Sequence, residues 1–184
     1  MDESTSEIVK EDQGLERLNS LAVNDAKAEF LKCCGSNNWA RRMVAGRPFM
    51  NLNQLLDSAD RVWWSLDPRD WLEAFQSHPK IGEKKAAAAT AVDAQRWSED
   101  EQSGTRNSAA ETMAALAKLN RVYEEKFGYI FIVCASGKSA EEMLAILGDR
   151  LRNSPEQELQ IAAAEQAKIT QLRLKRLVAI EDAR

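Results

Sequence analysis

Only one stretch of this chain, Tyr129-Ile130-Phe131-Ile132-Val133-Cys134-Ala135, has the density of β-branched and aromatic residues that a strand favours. A sheet needs a second run of that kind, and no series of alternating strands accompanies it. Elsewhere the apolar residues recur three and four apart, the period of a helix with one buried face. The expected class is therefore all-α, a compact single-domain helical bundle of about seven to nine helices. One short extended buried segment is expected within it, near residues 129–134.

Start and stop signals divide the helices. Residues 1–22 are polar, mixed in charge and aperiodic, which predicts a frayed or disordered arm ahead of one folded domain over residues 23–180. A first helix is expected from an Asn24 cap to Gly35, and a second from a Ser36 cap, through Trp39 and Met43, to Gly46. After the break at Arg47-Pro48-Phe49, a third carries Leu52, Leu55, Leu56, Ala59, Val62 and Trp63 on one stripe. Asp67-Pro68 opens a fourth, which should stop around His78 because Pro79 disfavours helical geometry before it. Residues 86–91 are alanine-rich, with little to bury and no evident role. A long helix then places Met113, Leu116, Asn120, Tyr123 and Phe127 on one face and ends at Gly128. The last two open on a Ser139/Glu142 capping box and on Ser154-Pro155.

The length of 184 residues with 44% hydrophobic content suits one core. No apolar run approaches the roughly 20 residues of a membrane span, and the start MDESTSEIVKEDQ lacks the basic-then-apolar order of a secretory signal. The ending Asp182-Ala183-Arg184 is not a peroxisomal address, so a cytoplasmic location is expected, with no membrane partner. Three cysteines, two of them adjacent (Cys33 and Cys34), fit a reduced compartment better than a disulfide framework. Twenty-five basic and 29 acidic side chains intermingle to a net charge of −4, leaving no broad basic face for nucleic acid.

Chemistry has few places to reside. One histidine excludes a multi-histidine metal site, and no CxxC, HExxH, P-loop, GxGxxG or GxSxG pattern occurs. His78, at a helix C-terminus where the dipole favours positive charge, is followed by Pro79 and Gly82, which bend the chain and allow the ring to face a cleft. The same position also suits a histidine that merely caps exposed carbonyls. Ser98, Glu101 and Gln102 open the long helix. Ser98 and Glu101 have capping-box spacing, while a helix N-terminus carrying a carboxylate and an amide also suits a polar heterocycle.

Taken together, HPKIG from His78, SEDEQSG from Ser98, KFGYIFIVCASGKSAEEML from Lys126 and ELQIAAAEQAKITQLRL from Glu158 resemble the OHCU decarboxylases in order and spacing. OHCU is 2-oxo-4-hydroxy-4-carboxy-5-ureidoimidazoline. The likeness runs from about Glu29 to Leu177, and no motif residue is missing. The resemblance implies an all-helical, usually dimeric enzyme without metal or organic cofactor that converts OHCU to (S)-allantoin, the last step of urate oxidation. It also implies that His78 is catalytic and paired with Glu101, with Pro79, Ser98 and Gln102 at the substrate. Backbone groups near Phe131 and Ile132 would hold the ring of the substrate, and Arg173 would clamp a carboxylate or ureido group. Phe49 is a candidate pocket wall or a core aromatic. Two other classes remain open, a helical partner-binding module using one of Trp63 and Trp64, and a ureide hydrolase using the same polar cluster.

Overall fold

The computed structural model describes residues 13–81, 97 and 110–179. Helix α1 covers residues 13–20. It is followed by α2 (Val23–Cys33), α3 (Asn37–Ala45), α4 (Leu52–Trp64), α5 (Pro68–Gln76), α6 (Ala110–Phe127), α7 (Ala140–Arg150) and α8 (Pro155–Ala179). No strand occurs among the described residues, and the fold is all-α. No helix among them is long and apolar enough to cross a membrane. Contacts cluster the chain into two compact units, Met1–Glu73 with Ala167–Arg184, and Ala74–Gln166.

In the first unit, α2 packs on α3 and α3 on α4. Ser36 caps α3 by accepting the Trp39 N–H at 3.3 Å, and Asn51 caps α4 by accepting that of Gln54 at 2.9 Å. Trp39 is fully buried, edge-on to Phe30, and its indole N–H donates to the Ala59 carbonyl at 3.1 Å. A buried tryptophan needs such a partner for its one polar atom. Trp63 is also buried, and its neighbour Trp64 is 47% exposed, as one helical stripe requires of adjacent residues.

Two expectations change here. Residues 13–20, within the expected frayed arm, form a helix with Leu15 and Leu18 buried. Tertiary contact holds it: Arg17 donates to the Leu177 carbonyl at 3.3 Å, and Gly14 lies so close to Val178 that an added Cβ would sit 1.7 Å from its carbonyl oxygen. Helix α2 begins at Val23 rather than after an Asn24 cap, and it ends at Cys33 because Cys34 turns to extended geometry, φ −141° and ψ 121°.

In the second unit, α6 packs on α7. Leu116, Tyr123, Met143 and Leu147 form its core with Phe131, Val133 and Ala135. Gly128, at φ +80°, stops α6 in the left-handed region that side chains avoid. The Ser139/Glu142 capping box makes both reciprocal bonds, and Ser154 accepts the Gln157 N–H at 3.3 Å to open α8. The segment expected to be extended and buried near 129–134 forms no ladder. It is irregular, half-buried at Tyr129 and Ile130 and buried from Phe131 to Ala135.

Candidate active site

Buried backbone without a ladder must find other partners, since each stranded group costs about 1–3 kcal/mol. Side chains from three helices and one turn supply them. Asn120 of α6 accepts the Phe131 N–H at 3.3 Å, and Arg150 of α7 donates to the Ile132 carbonyl at 2.7 Å. Glu165 of α8 accepts the Cys134 N–H at 2.8 Å, while Lys138 donates to the Cys134 carbonyl at 2.7 Å. The N–H groups of Ile132 and Val133 take no acceptor among the described residues. The buried hydroxyl of Ser136 likewise takes no hydrogen bond among them.

Asn120 also brings the histidine segment to this place. Its amide donates to the Ile81 carbonyl at 3.1 Å while its oxygen holds Phe131, so one buried side chain ties both motif segments together. Lys80 adds an ion pair to Glu124 at 2.6 Å. Helix α5 ends just before His78. The Ser77 N–H and hydroxyl take the Ala74 carbonyl, and the His78 N–H takes that of Phe75 at 3.2 Å. The imidazole Nε2 instead meets Oε1 of Gln166, fully buried on α8, at 2.6 Å. His78 and Pro79 are half-buried.

Arg150 sits in a second buried cluster. Its guanidinium pairs with Glu158 at 2.6 Å and covers the Phe131 ring at 4.7 Å. Glu158 also accepts from Asn153 at 2.6 Å and from the Tyr123 hydroxyl. Burial, opposed in part by the Arg150 charge, pushes the Tyr123 hydroxyl well above its usual range, so it stays protonated and donates.

The remaining predicted residues either belong to the first unit or lie outside the described residues. Phe49 belongs to the first unit, where it is buried edge-on to Phe30 and its backbone pairs with the Asn19 side chain at 2.8 and 2.9 Å. Arg47, preceding the cis Pro48, donates to the Leu18 and Leu21 carbonyls at 2.8 Å, so the RPF element closes the end of α1. Arg173, in the same unit, is 3% exposed, and its Nη1 reaches the Lys32 carbonyl at 3.5 Å. Its charge opposes, without overcoming, the burial that pushes the Cys33 thiol up and the Cys34 thiol up to about 12. Neither is a nucleophile at neutral pH. Ser98, Glu101, Gln102 and the alanine-rich residues 86–91 lie outside the described residues.

No group of three His, Cys, Asp or Glu side chains that could hold a metal ion occurs among the described residues. An open polar cleft along α4, about 540 Å³ and lined by Asn51, Asn53, Gln54, Asp57, Asp60 and Arg61, contains none of the predicted site residues.

The family model for OHCU decarboxylase matches residues 19–175. The chain belongs to the OHCU decarboxylase family. It is 37% identical over 158 residues to the uric acid degradation bifunctional protein TTL of Arabidopsis thaliana, covering 85% of this chain and 48% of that protein. It thus spans about half the length of that relative. It is 34% identical to the 2-oxo-4-hydroxy-4-carboxy-5-ureidoimidazoline decarboxylase of Amia calva, covering 76% of this chain and 79% of that one. An OHCU decarboxylase whose crystal structure was determined in the presence of (S)-allantoin is 37% identical and superposes with a TM-score of 0.72, over 83% of this chain and 99% of that chain.

Within this OHCU decarboxylase family member, sequence reasoning singled out His78 and the 127–135 segment but not the side chains that hold them. Gln166 and Arg150 read as ordinary polar positions of amphipathic helices, and Asn120 as one member of an apolar stripe. The available signal was a polar residue at a core register: Asn120 lies between Leu116 and Tyr123, and Gln166 lies one turn from both Ala162 and Thr170.

Proposed function

We propose that this chain decarboxylates OHCU to (S)-allantoin by cofactor-free acid-base catalysis. The observation that carries the reading is the position of the sole imidazole in a chain of this family. His78 is fixed by a buried amide, and its segment is tied through Asn120 to a buried segment whose Ile132 and Val133 N–H groups take no acceptor among the described residues.

The chemistry of the substrate supports the absence of a cofactor. The carboxylate departs from a carbon that bears a hydroxyl and adjoins a C=N bond. As that C–C bond breaks, the electron pair forms a C=C bond and the C=N pair moves onto the ring nitrogen, which takes a proton. The substrate is its own electron sink. The hydroxyl then loses its proton to become a carbonyl, and the ureido-bearing carbon gains one. Delivery to a single face sets the S configuration.

The protein has to manage three proton transfers, two onto the ring and one off the hydroxyl, and hold the ring still. His78 and Glu101 form the acid-base pair, one acting at the hydroxyl and the other at the ring. Ser98, Gln102 and backbone groups of Phe131 and Ile132 bind the ring and ureido groups, beside Pro79. The family resemblance assigns Arg173 to a charged or ureido substituent of the substrate and leaves Phe49 as a candidate apolar wall. The chain works as a homodimer, a reading supported by the family resemblance and by the half-exposed indole of Trp64.

Product analysis tests this reading. Carbon dioxide released together with allantoin faster than OHCU decays by itself is expected. Ammonia release would mark a ureide hydrolase instead, and carbon dioxide at only the spontaneous rate without ammonia would mark a binding module.

A further inference from the structure

The family pattern places a histidine in the site but leaves open which ring nitrogen works. The fold constrains that choice through α8. Gln166 Oε1 stands 2.6 Å from His78 Nε2. A carbonyl oxygen only accepts, so the nitrogen facing it must carry the proton. The amide has little freedom to turn away, because Gln166 is fully buried and its neighbour Glu165 is held by the Cys134 N–H at 2.8 Å. On the other side, the His78 backbone is fixed by its N–H bond to Phe75.

We propose that Gln166 is a positioning residue that locks His78 as the Nε2–H tautomer, so that Nδ1 is the nitrogen that exchanges a proton with the substrate. In the neutral ring Nδ1 carries the lone pair. It takes a proton from the substrate to give imidazolium and returns it, while the Nε2–H bond to Gln166 persists throughout. Gln166 touches no reacting atom. It fixes the ring plane and decides which nitrogen is basic, the task that a carbonyl or carboxylate partner performs for histidines elsewhere. The proton-exchange half of this inference rests on the decarboxylase reading, and the tautomer half does not.

The chain contains a single histidine, which makes the tautomer directly measurable. Long-range ¹H–¹⁵N correlation spectra of the full chain, recorded where the ring shifts no longer change with rising pH, are expected to show protonated Nε2 and bare Nδ1. Gln166→Glu, which keeps an acceptor, should retain that pattern, and Gln166→Leu should give mixed tautomers. With OHCU as substrate, Gln166→Leu should lower kcat by at least about tenfold, part of the 10²–10⁴-fold that a positioned acid or base contributes, with KM nearly unchanged. A wild-type spectrum with protonated Nδ1 overturns the proposal, as does a folded Gln166→Leu variant with unaltered tautomer and unaltered kcat. A protonated Nε2 in a chain that does not decarboxylate OHCU would leave the Gln166 assignment standing and remove the decarboxylase reading.

Discussion

Arg150 and Glu158 form an ion pair inside the protein: Nε and Nη2 of the guanidinium lie 2.7 and 2.6 Å from one carboxylate oxygen, with side-chain exposures of 8% and 0%. Removing two charges from water costs several kcal/mol per ion unless their other lone pairs and protons are satisfied. Here Tyr123 and Asn153 complete Glu158, and the Ile132 carbonyl takes Nη1 of Arg150. Arg150→Ala should therefore lose about 3–5 kcal/mol in urea unfolding, because it strands a buried carboxylate. A loss below about 1 kcal/mol, the worth of a surface pair, contradicts the assignment.

Asn120 serves two backbone groups at once. Asn120→Leu fills the space but leaves the Ile81 carbonyl and the Phe131 N–H without their partner. A stability loss of about 2–6 kcal/mol is expected at about 1–3 per group, read by chemical denaturation. An Asn120→Leu variant as stable as the parent would show that the two segments do not depend on that side chain.

Two glycines should respond in opposite directions to alanine. At Gly14 the new methyl would meet the Val178 backbone at 1.7 Å, so Gly14→Ala should destabilise by about 1–3 kcal/mol. Gly148 lies inside α7 with nothing within 4 Å of an added Cβ, so Gly148→Ala should stabilise by about 0.5–1 kcal/mol. Thermal melts of both variants check the pair, and equal effects would contradict the packing of α1 on the last helix.

Alkaline stability follows from the buried thiols. Folding raises Cys34 from the ordinary 9.0 to about 12 and raises Cys33 as well, both chiefly by desolvation. Above pH 9 the unfolded chain releases thiol protons that the folded chain retains, so stability present below pH 9 is lost as pH rises toward 12. Cys33→Ala/Cys34→Ala should flatten that decline in denaturation curves between pH 8 and about 10.5, a window set by the ordinary thiol value. An unchanged slope would show that these thiols do not carry it.

Much of the fold was legible because local chemistry dictated it. Ser36, Pro68, the Ser139/Glu142 box, Ser154 and Gly128 each act on a neighbouring turn, and each begins or ends a helix as expected. Helix α1 was not legible, since Leu15 and Leu18 offer one helical step and the rest of its support comes from Leu177 and Val178 at the other end of the chain. The burial of the 129–134 segment was legible, but what satisfies its backbone was not. Its composition suits a strand, but its backbone is satisfied by Asn120, Arg150 and Glu165, side chains no local pattern connects to it. His78 stood out as the only imidazole, whereas Gln166, 88 positions away, became visible only in three dimensions.

The handedness of the product decides whether this chain steers the decarboxylation of OHCU. OHCU is generated in place from urate with urate oxidase and hydroxyisourate hydrolase, and optical rotation is followed as allantoin appears, against the racemate of spontaneous decay. With the folded chain present, accelerated formation of (S)-allantoin is expected, lost in folded His78→Asn and Glu101→Gln variants. Racemic allantoin at the spontaneous rate from the folded parent chain would contradict that expectation.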